Sequence, residues 1–460
     1  MEQQKGKFDS NFGFLMASLG SAVGLGNLWG FPFKMGLGGG FAFLLIYMIL
    51  LLVVGYPLVL SEIAIGRKSQ KAAIEAYKEI RPGFTFNGVL QTAVPFFLIA
   101  FYCTFGGYVM KYLVYSLMAF GGKTFDPGEM FSTTLVSLSS VVWVIIFLAL
   151  TVLIVLGGVS GGIEKFCKIA MPALFVMLCI IVVRSCTLPG AGAGLAFLYK
   201  PHFEGMTSFG AFLNTVKLAG TQMFFSLSLA SGCLIAYGSY LDKKENLEKD
   251  AVYVTIGDTV AALLAGMAIM PACSAYGIEF TAGPKLLFVA MQTVFNNMAG
   301  GAFFAFLFWL LVFFACLSSS IGMMEGGISA ILDSRIKAGK SANRFGVTML
   351  MGAWALIGNM ITTLDGLGAT DRVAWFRFFG APHALYIWDA LAEGILMPLT
   401  GFIMAILIGW VVPNYIDDEV LSSSPFKSKG FFDFCIKYLG PLFMVLIIVG
   451  QIVATVTGQL

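Results

Sequence analysis

The sequence predicts an all-α polytopic membrane protein: eleven transmembrane helices, arranged as a 5+5 inverted repeat with broken first and sixth helices and one additional helix. Three observations predict it. Of the 460 residues 58% are hydrophobic and only 12% charged, whereas a soluble domain carries about 25% charged residues; too few charges remain to clothe a water-facing surface. Uncharged stretches recur along the whole chain, each near the roughly 20 residues that a helix needs to cross a bilayer core of about 30 Å. Two of those stretches, one opening each half, are poorly composed as helices.

The spans fall near 12–33, 40–65, 90–120, 137–156, 170–183, 212–237, 253–275, 303–332, 346–364, 385–411 and 434–458. The fifth is short. Residues 12–183 form the first repeat, 212–411 the second and 434–458 the extra helix, all within one transmembrane domain covering 1–460. Most of the 28 Lys and Arg residues fall on one side if the N-terminus is cytoplasmic, including Arg67, Lys68, Lys165, Lys168, Lys243, Lys244, Arg335 and Lys337. The positive-inside rule therefore places the N-terminus in the cytoplasm, and an odd number of spans places the C-terminus outside the cell membrane. Residues 1–9 are polar and lead into a full-length span, so they do not read as a cleaved signal peptide.

Composition also narrows the chemistry. A net charge of +3 from dispersed residues makes no nucleic-acid footprint. The eight cysteines are scattered, without a CxxC pair, and only His202 and His383 are present. A thiolate or histidine metal centre, or a Ser/His/Asp hydrolase, has little to work with, and the chain reads as a protein without catalytic residues.

In the first span Gly20, Gly24, Gly26, Gly30 and Pro32 crowd together, each Gly costing about 1 kcal/mol and Pro about 3 kcal/mol in a helix interior. The sixth carries Ser226, Ser228, Ser231 and Gly232 in mid-span. Small residues also serve close helix packing. Two such spans at matching places in the two halves point instead to a midplane site lined by discontinuous helices.

Charges within the spans are Glu62, Lys111, Lys217, Asp258, Glu325 and Asp389, each expensive near the bilayer centre. Glu62 and Glu325 read as hydrogen-bonding partners of freed backbone, and Lys111 and Lys217 as snorkelling residues. Asp258 lies about two turns into its span with no Lys or Arg nearby in sequence. A bound hard cation is the economical partner, and one carboxylate among neutral oxygens suits a monovalent ion better than calcium.

The run Gly20-Ser21-Ala22-Val23-Gly24-Leu25-Gly26-Asn27-Leu28-Trp29, with Phe31-Pro32 and Gly38-Gly39-Gly40 after it, resembles the first-helix signature of the neurotransmitter:sodium symporter family. So does Gln222-Met223-Phe224-Phe225-Ser226-Leu227-Ser228-Leu229. Gly55-Tyr56-Pro57, Gly66-Arg67, Phe101-Tyr102, the Gly161–Lys165 run, Gly283-Pro284 and Ser318-Ser319-Ser320 follow in family order across nearly the whole chain. The resemblance is to the bacterial amino-acid transporter branch with the leucine-transporter-like fold, which implies a prokaryotic cell membrane and sodium-coupled uptake by alternating access.

That resemblance implies a first sodium held by the Ala22 carbonyl, Asn27, Ser226, Asp258 and the substrate carboxylate. It implies a second held by the Gly20, Val23 and Ala315 carbonyls with Ser318 and Ser319. The substrate carboxylate would face the half-helix start at Leu25 and Gly26 and the Tyr102 hydroxyl, and Gly24, an aspartate in monoamine carriers, favours a substrate bearing a carboxylate. Its amino group would meet carbonyls near Ala22 and Phe225. Ser21, Leu98, Phe225 and Ser228 would line the side-chain pocket together with Ser231, Ser319 and Met323, and the lack of Arg or Lys there argues against an acidic amino acid; the expected substrate is a neutral amino acid, hydrophobic or aromatic. With the Asp258 charge fixed, no chloride is required.

The gates depart from the family pattern. Gly30 stands where an outer-gate Arg is expected, Asp389 keeps the partner position, and Lys34, four residues on, is the candidate cation for it. At the inner gate Lys5 replaces an Arg, Phe8 replaces a Trp, and Asp333 is the anion. These changes keep a second reading open, an amino-acid sensor of the same fold that binds without transporting. An ion channel is disfavoured, since no carboxylate ring or repeated filter loop is visible.

Overall fold

The computed structural model describes residues 6–203, 206–281 and 283–457, and among these the regular structure is helical. Nine helices are long and apolar enough to cross a membrane, beginning with Phe41–Ser69, and the bent pair Asn11–Ala22 and Gly26–Leu37, angled by 46°, makes a tenth. Phe209–Ser226 and Cys233–Gly238 flank an unwound stretch at 227–232, an arrangement consistent with a broken span and a total of eleven.

The third span (Pro82–Phe120) and the eighth (Gly301–Lys337) pack along each other at the centre. In its most apolar window 78% of the third span is buried within the protein, against 33% for the fourth (Ser139–Leu156) and the eleventh (Lys429–Thr455), which face lipid. Asn11–Ala22 packs on the eighth span, on the fifth (Val159–Cys186) and on the seventh (Leu247–Ala275). The two breaks thus lie inside the bundle, the only environment in which unpaired backbone at membrane depth is tolerated.

The fifth span is longer than the 170–183 expected, at 28 residues. Its polar start is helical because Glu164 turns inward, 1% exposed, where its carboxylate accepts the Asp9 amide at 2.7 Å and the Ser10 hydroxyl at 3.1 Å and pairs with Lys168 at 2.6 Å. A sheltered charge does not interrupt a span. The snorkelling expected of Lys111 and Lys217 is corrected too: both are buried inside the bundle, and Lys111 reaches the Ser140 hydroxyl at 3.4 Å.

Candidate functional site

Regular hydrogen bonding in the first span ends where the Val23 amide donates to the Leu19 carbonyl at 2.6 Å. The next two donors are diverted to side chains, the Gly24 amide to Asn27 Oδ1 at 3.0 Å and the Leu25 amide to Tyr102 Oη at 3.1 Å. The carbonyls they would have served, Gly20 and Ser21, accept instead from Ser319 Oγ at 3.2 Å and Ser228 Oγ at 2.9 Å. Sequence sets this exchange, because hydroxyl, amide and phenol groups supply what the missing helical turn withdraws.

The second break is held by other elements. Ser228 and Ala230 have φ of 52° and 54°, and Gly232 has 72°; the left-handed region is costly for residues with a Cβ and needs outside support. Glu62 of the second span accepts the Ala230 amide at 2.7 Å, and Thr400 of the tenth span (Ala384–Val411) donates to the Ala230 carbonyl at 3.0 Å. Glu62 therefore serves freed backbone as expected. Ser231 Oγ closes the turn onto the Ser228 carbonyl at 2.6 Å.

Asp258 sits where the breaks meet and is wholly buried. Its Oδ1 accepts from Asn27 Nδ2 at 2.8 Å and from Ser226 Oγ at 3.0 Å, and Ser226 Oγ lies 2.9 Å from Oδ2. Its hydrogen-bond donors are neutral, and no ion pair to it forms among the described residues. The Ala22 terminus of the first half-helix is buried as well. One carboxylate among hydroxyl, amide and carbonyl oxygens is a donor set for a hard monovalent cation. Among the described residues no three His, Cys, Asp or Glu side chains converge on a metal site.

A second oxygen cluster joins the first span to the eighth. Ser319 Oγ lies 3.2 Å from the Gly20 carbonyl and 3.4 Å from that of Val23, while Ser318 Oγ donates to the Ala315 carbonyl at 3.1 Å. Between the clusters lie Tyr102, whose ring is 6.4 Å from that of Phe225, and Gly24, where an added Cβ would fall 2.3 Å from Ser319 Oγ and 2.6 Å from Tyr102 Oη. A Cβ on Gly26 would meet the Phe225 ring at 3.0 Å. Ser21 and Ser228 Oγ stand 3.5 Å apart. Leu98, Ser231 and Met323 are buried in the same core and Phe225 is half-buried.

The charged residues flanking the site depart from expectation. Lys34 does not pair with Asp389; its Nζ contacts Glu393 Oε2 at 3.0 Å, one helical turn further along the tenth span. Glu393 is a further intraspan charge beyond the six expected, in the same apolar stretch as Asp389. On the other side of the bundle Lys5 lies outside the described residues, Asp333 accepts the Ala72 amide at 2.6 Å, and Phe8 packs edge-on against Tyr237 and Tyr240. Glu325 does not serve freed backbone. It receives Tyr240 Oη at 2.8 Å, Ser329 Oγ at 3.0 Å and both terminal nitrogens of Arg344, at 3.1 and 2.5 Å. Arg344 is the first residue of the ninth span (Arg344–Gly368), where the sequence carries no signal of a partner.

A helical bundle whose two interrupted helices meet at a buried carboxylate, Asp258, among neutral oxygens has the design of a secondary transporter. Comparison with known proteins agrees. The model of the sodium:neurotransmitter symporter family matches residues 5–121 and 129–459, and the chain belongs to that family, one of transporters and not of enzymes. It is 31% identical over 469 residues to an uncharacterized sodium-dependent transporter of Haemophilus influenzae, covering 98% of this chain and 99% of the relative. It is 36% identical over 329 residues to the uncharacterized sodium-dependent transporter YhdH of Bacillus subtilis, covering 70% and 72%. The crystal structure of MhsT in complex with L-phenylalanine superposes with a TM-score of 0.86 at 30% identity, covering 97% of this chain and all of that one. The chain is thus a multi-pass, sodium-dependent membrane transporter.

Proposed function

We propose that the protein carries a neutral amino acid with a hydrophobic or aromatic side chain into the cell together with sodium, by alternating access and without chloride. The observation that carries this reading is the meeting of both helix breaks at Asp258 through Asn27 and Ser226. A first sodium would lie among Ala22, Asn27, Ser226 and Asp258, completed by the substrate carboxylate, so that ion and substrate each complete the other's site. A second would lie among Gly20, Val23, Ala315, Ser318 and Ser319, tying the moving first span to the eighth. The Tyr102 hydroxyl and the Leu25 amide, 3.1 Å apart, would turn to the substrate carboxylate at the positive end of the 26–37 half-helix. The glycine at 24 leaves no room for a side chain there and supports a substrate that brings its own carboxylate.

The complex of MhsT with L-phenylalanine supports the substrate class, and the absence of cationic side chains among the proposed lining residues supports its neutrality. The balance of Lys and Arg supports an N-terminus in the cytoplasm and a C-terminus outside. Uptake of each of the twenty labelled amino acids into proteoliposomes, with sodium and then potassium outside, tests the reading. Accumulation of one or a few neutral, apolar amino acids under a sodium gradient is the expected result. Sodium-dependent binding without accumulation would establish the sensor instead.

A further inference from the structure

Four polar side chains beside the second break carry atoms that nothing among the described residues satisfies. Glu62, Tyr77, Asn87 and Gln91 are wholly buried. Glu62 Oε2, Tyr77 Oη, Asn87 Oδ1 and both amide atoms of Gln91 have no hydrogen-bond partner among the described residues. Each such atom costs stability when it is buried, and several at one place point to a ligand that satisfies them together.

Three elements and the break itself bring them together. Asn87 and Gln91 stand four residues apart on one face of the third span. The short helix Ala73–Ile80 packs on the start of that span, where a Cβ on Gly88 would lie 2.6 Å from the Ala73 carbonyl. Burial first, and then the nearby Glu62 charge, hold the Tyr77 hydroxyl well above its ordinary range, against the opposing Asn87 and Gln91 side chains beside it, so Tyr77 offers a neutral oxygen. On the break, a Cβ on Gly232 would fall 3.3 Å from Ala73 Cβ and 3.7 Å from the Gln91 carbonyl oxygen. Two residues earlier the Ala230 amide donates to Glu62 Oε1 at 2.7 Å, and the Ala230 carbonyl accepts from Thr400 Oγ1 at 3.0 Å. The Thr400 carbonyl in turn takes Asn87 Nδ2 at 3.2 Å, which leaves the Asn87 oxygen as its free atom.

We propose that Glu62, Tyr77, Asn87 and Gln91 form a further cation site, apart from the two sodium sites proposed above, which takes one sodium or potassium ion through Glu62 Oε2, Tyr77 Oη, Asn87 Oδ1 and Gln91 Oε1. Glu62 forms no ion pair among the described residues, and its hydrogen bond comes from a neutral amide. Water would satisfy the amides and the phenol but leave the charge of a buried carboxylate unmatched. One carboxylate with three neutral oxygens suits a hard monovalent ion better than calcium. The ion keeps Glu62 ionised, and an ionised acceptor holds the Ala230 amide more strongly, so the site braces the second break from the side of the 73–80 helix.

Equilibrium binding of radioactive sodium to the full-length protein in lipid nanodiscs, and in a separate arm of radioactive rubidium as the stand-in for potassium, tests the site with no gradient and no amino acid. Choline is the only other cation in each arm. In at least one arm Glu62→Gln, which keeps an oxygen for the Ala230 amide, should lower the number of ions bound per chain by one, and the arm that shows the loss names the ion. The same loss should appear when Glu62→Gln is added to Asp258→Asn, because the two ions are separate. Tyr77→Phe and Gln91→Leu, which touch neither proposed sodium site, should each weaken the affinity for that ion by about tenfold. Equal counts for the wild type and Glu62→Gln in both arms overturn the proposal. So does a loss that vanishes in the Asp258→Asn background, since the ion would then be the one at Asp258. If Glu62→Gln does not fold, Tyr77→Phe decides: a tenfold weaker ion supports the site, and unchanged affinity in both arms overturns it.

Discussion

Ser226 lies within hydrogen-bonding distance of both carboxylate oxygens of Asp258, at 3.0 and 2.9 Å, and so joins the last helical residue before the second break to the seventh span. Neutralising Asp258 should therefore strike ion binding before it strikes packing. Asp258→Asn keeps the shape, and both it and Asp258→Ala should lower sodium-driven uptake about a hundredfold or more, as loss of a buried charge partner does. Full sodium-dependent uptake by either variant, in protein that is folded and membrane-inserted, would refute the first-site assignment. The same fixed charge predicts that exchanging gluconate for chloride leaves the initial rate unchanged, and a steep rise with chloride would show that Asp258 does not supply the needed anion.

Gly24 packs closely against both Ser319 and Tyr102. Because a Cβ there would stand 2.3 Å from Ser319 Oγ and 2.6 Å from Tyr102 Oη, Gly24→Ala should weaken amino-acid binding about tenfold, within the usual cost of overpacking. Gly24→Asp should abolish it, since the new carboxylate adds repulsion of the substrate's own. Equilibrium binding of the amino acid identified by uptake checks both. Wild-type affinity in the aspartate variant would mean that the substrate carboxylate lies elsewhere.

Ser319 touches the carbonyls of Gly20 and Val23 across the interface of the first and eighth spans. Ser319→Ala removes a ligand from the proposed second sodium site and a hydrogen bond from the break. The apparent affinity for sodium should fall about tenfold, near 1.4 kcal/mol, and the sodium dependence of uptake should become less cooperative. A sodium titration of uptake with unaltered midpoint and steepness would remove Ser319 from that site.

The breaks were legible in the sequence because glycines, a proline and hydroxyls in mid-span have few other uses in lipid, and Asp258 because a short charged side chain so deep in a span needs a partner. The partners that close the bundle were less legible. Lys34 and Glu393 each lie one turn beyond the positions that the family pattern nominates, and a pattern of positions does not say which way a flexible lysine leans. Glu164 hid the true start of the fifth span, because its burial depends on Asp9 and Ser10, which lead into the first helix 155 and 154 residues away in sequence. Lys111 and Lys217 depart from the snorkelling expectation for the same reason: whether a lysine near a span end snorkels or is enclosed is decided by neighbouring helices.

Arg344 and Glu325 supply the last prediction. The carboxylate is fully buried and receives two guanidinium nitrogens, while the Arg344 side chain keeps 27% exposure and also donates to the Val155 carbonyl at 2.7 Å. Through Tyr240 this pair reaches Phe8 and the entry to the first span. Arg344→Ala leaves a buried carboxylate with only hydroxyl donors, which should cost about 3 kcal/mol or more and lower the midpoint of thermal unfolding in detergent. Removing both charges, with Arg344→Ala and Glu325→Leu together, avoids the uncompensated carboxylate and should recover a large part of that loss, because the penalty comes from the charge left behind and not from the missing contact. The double-mutant cycle measures this directly. Losses that simply add would show that Arg344 acts through Val155 of the fourth span, not through Glu325.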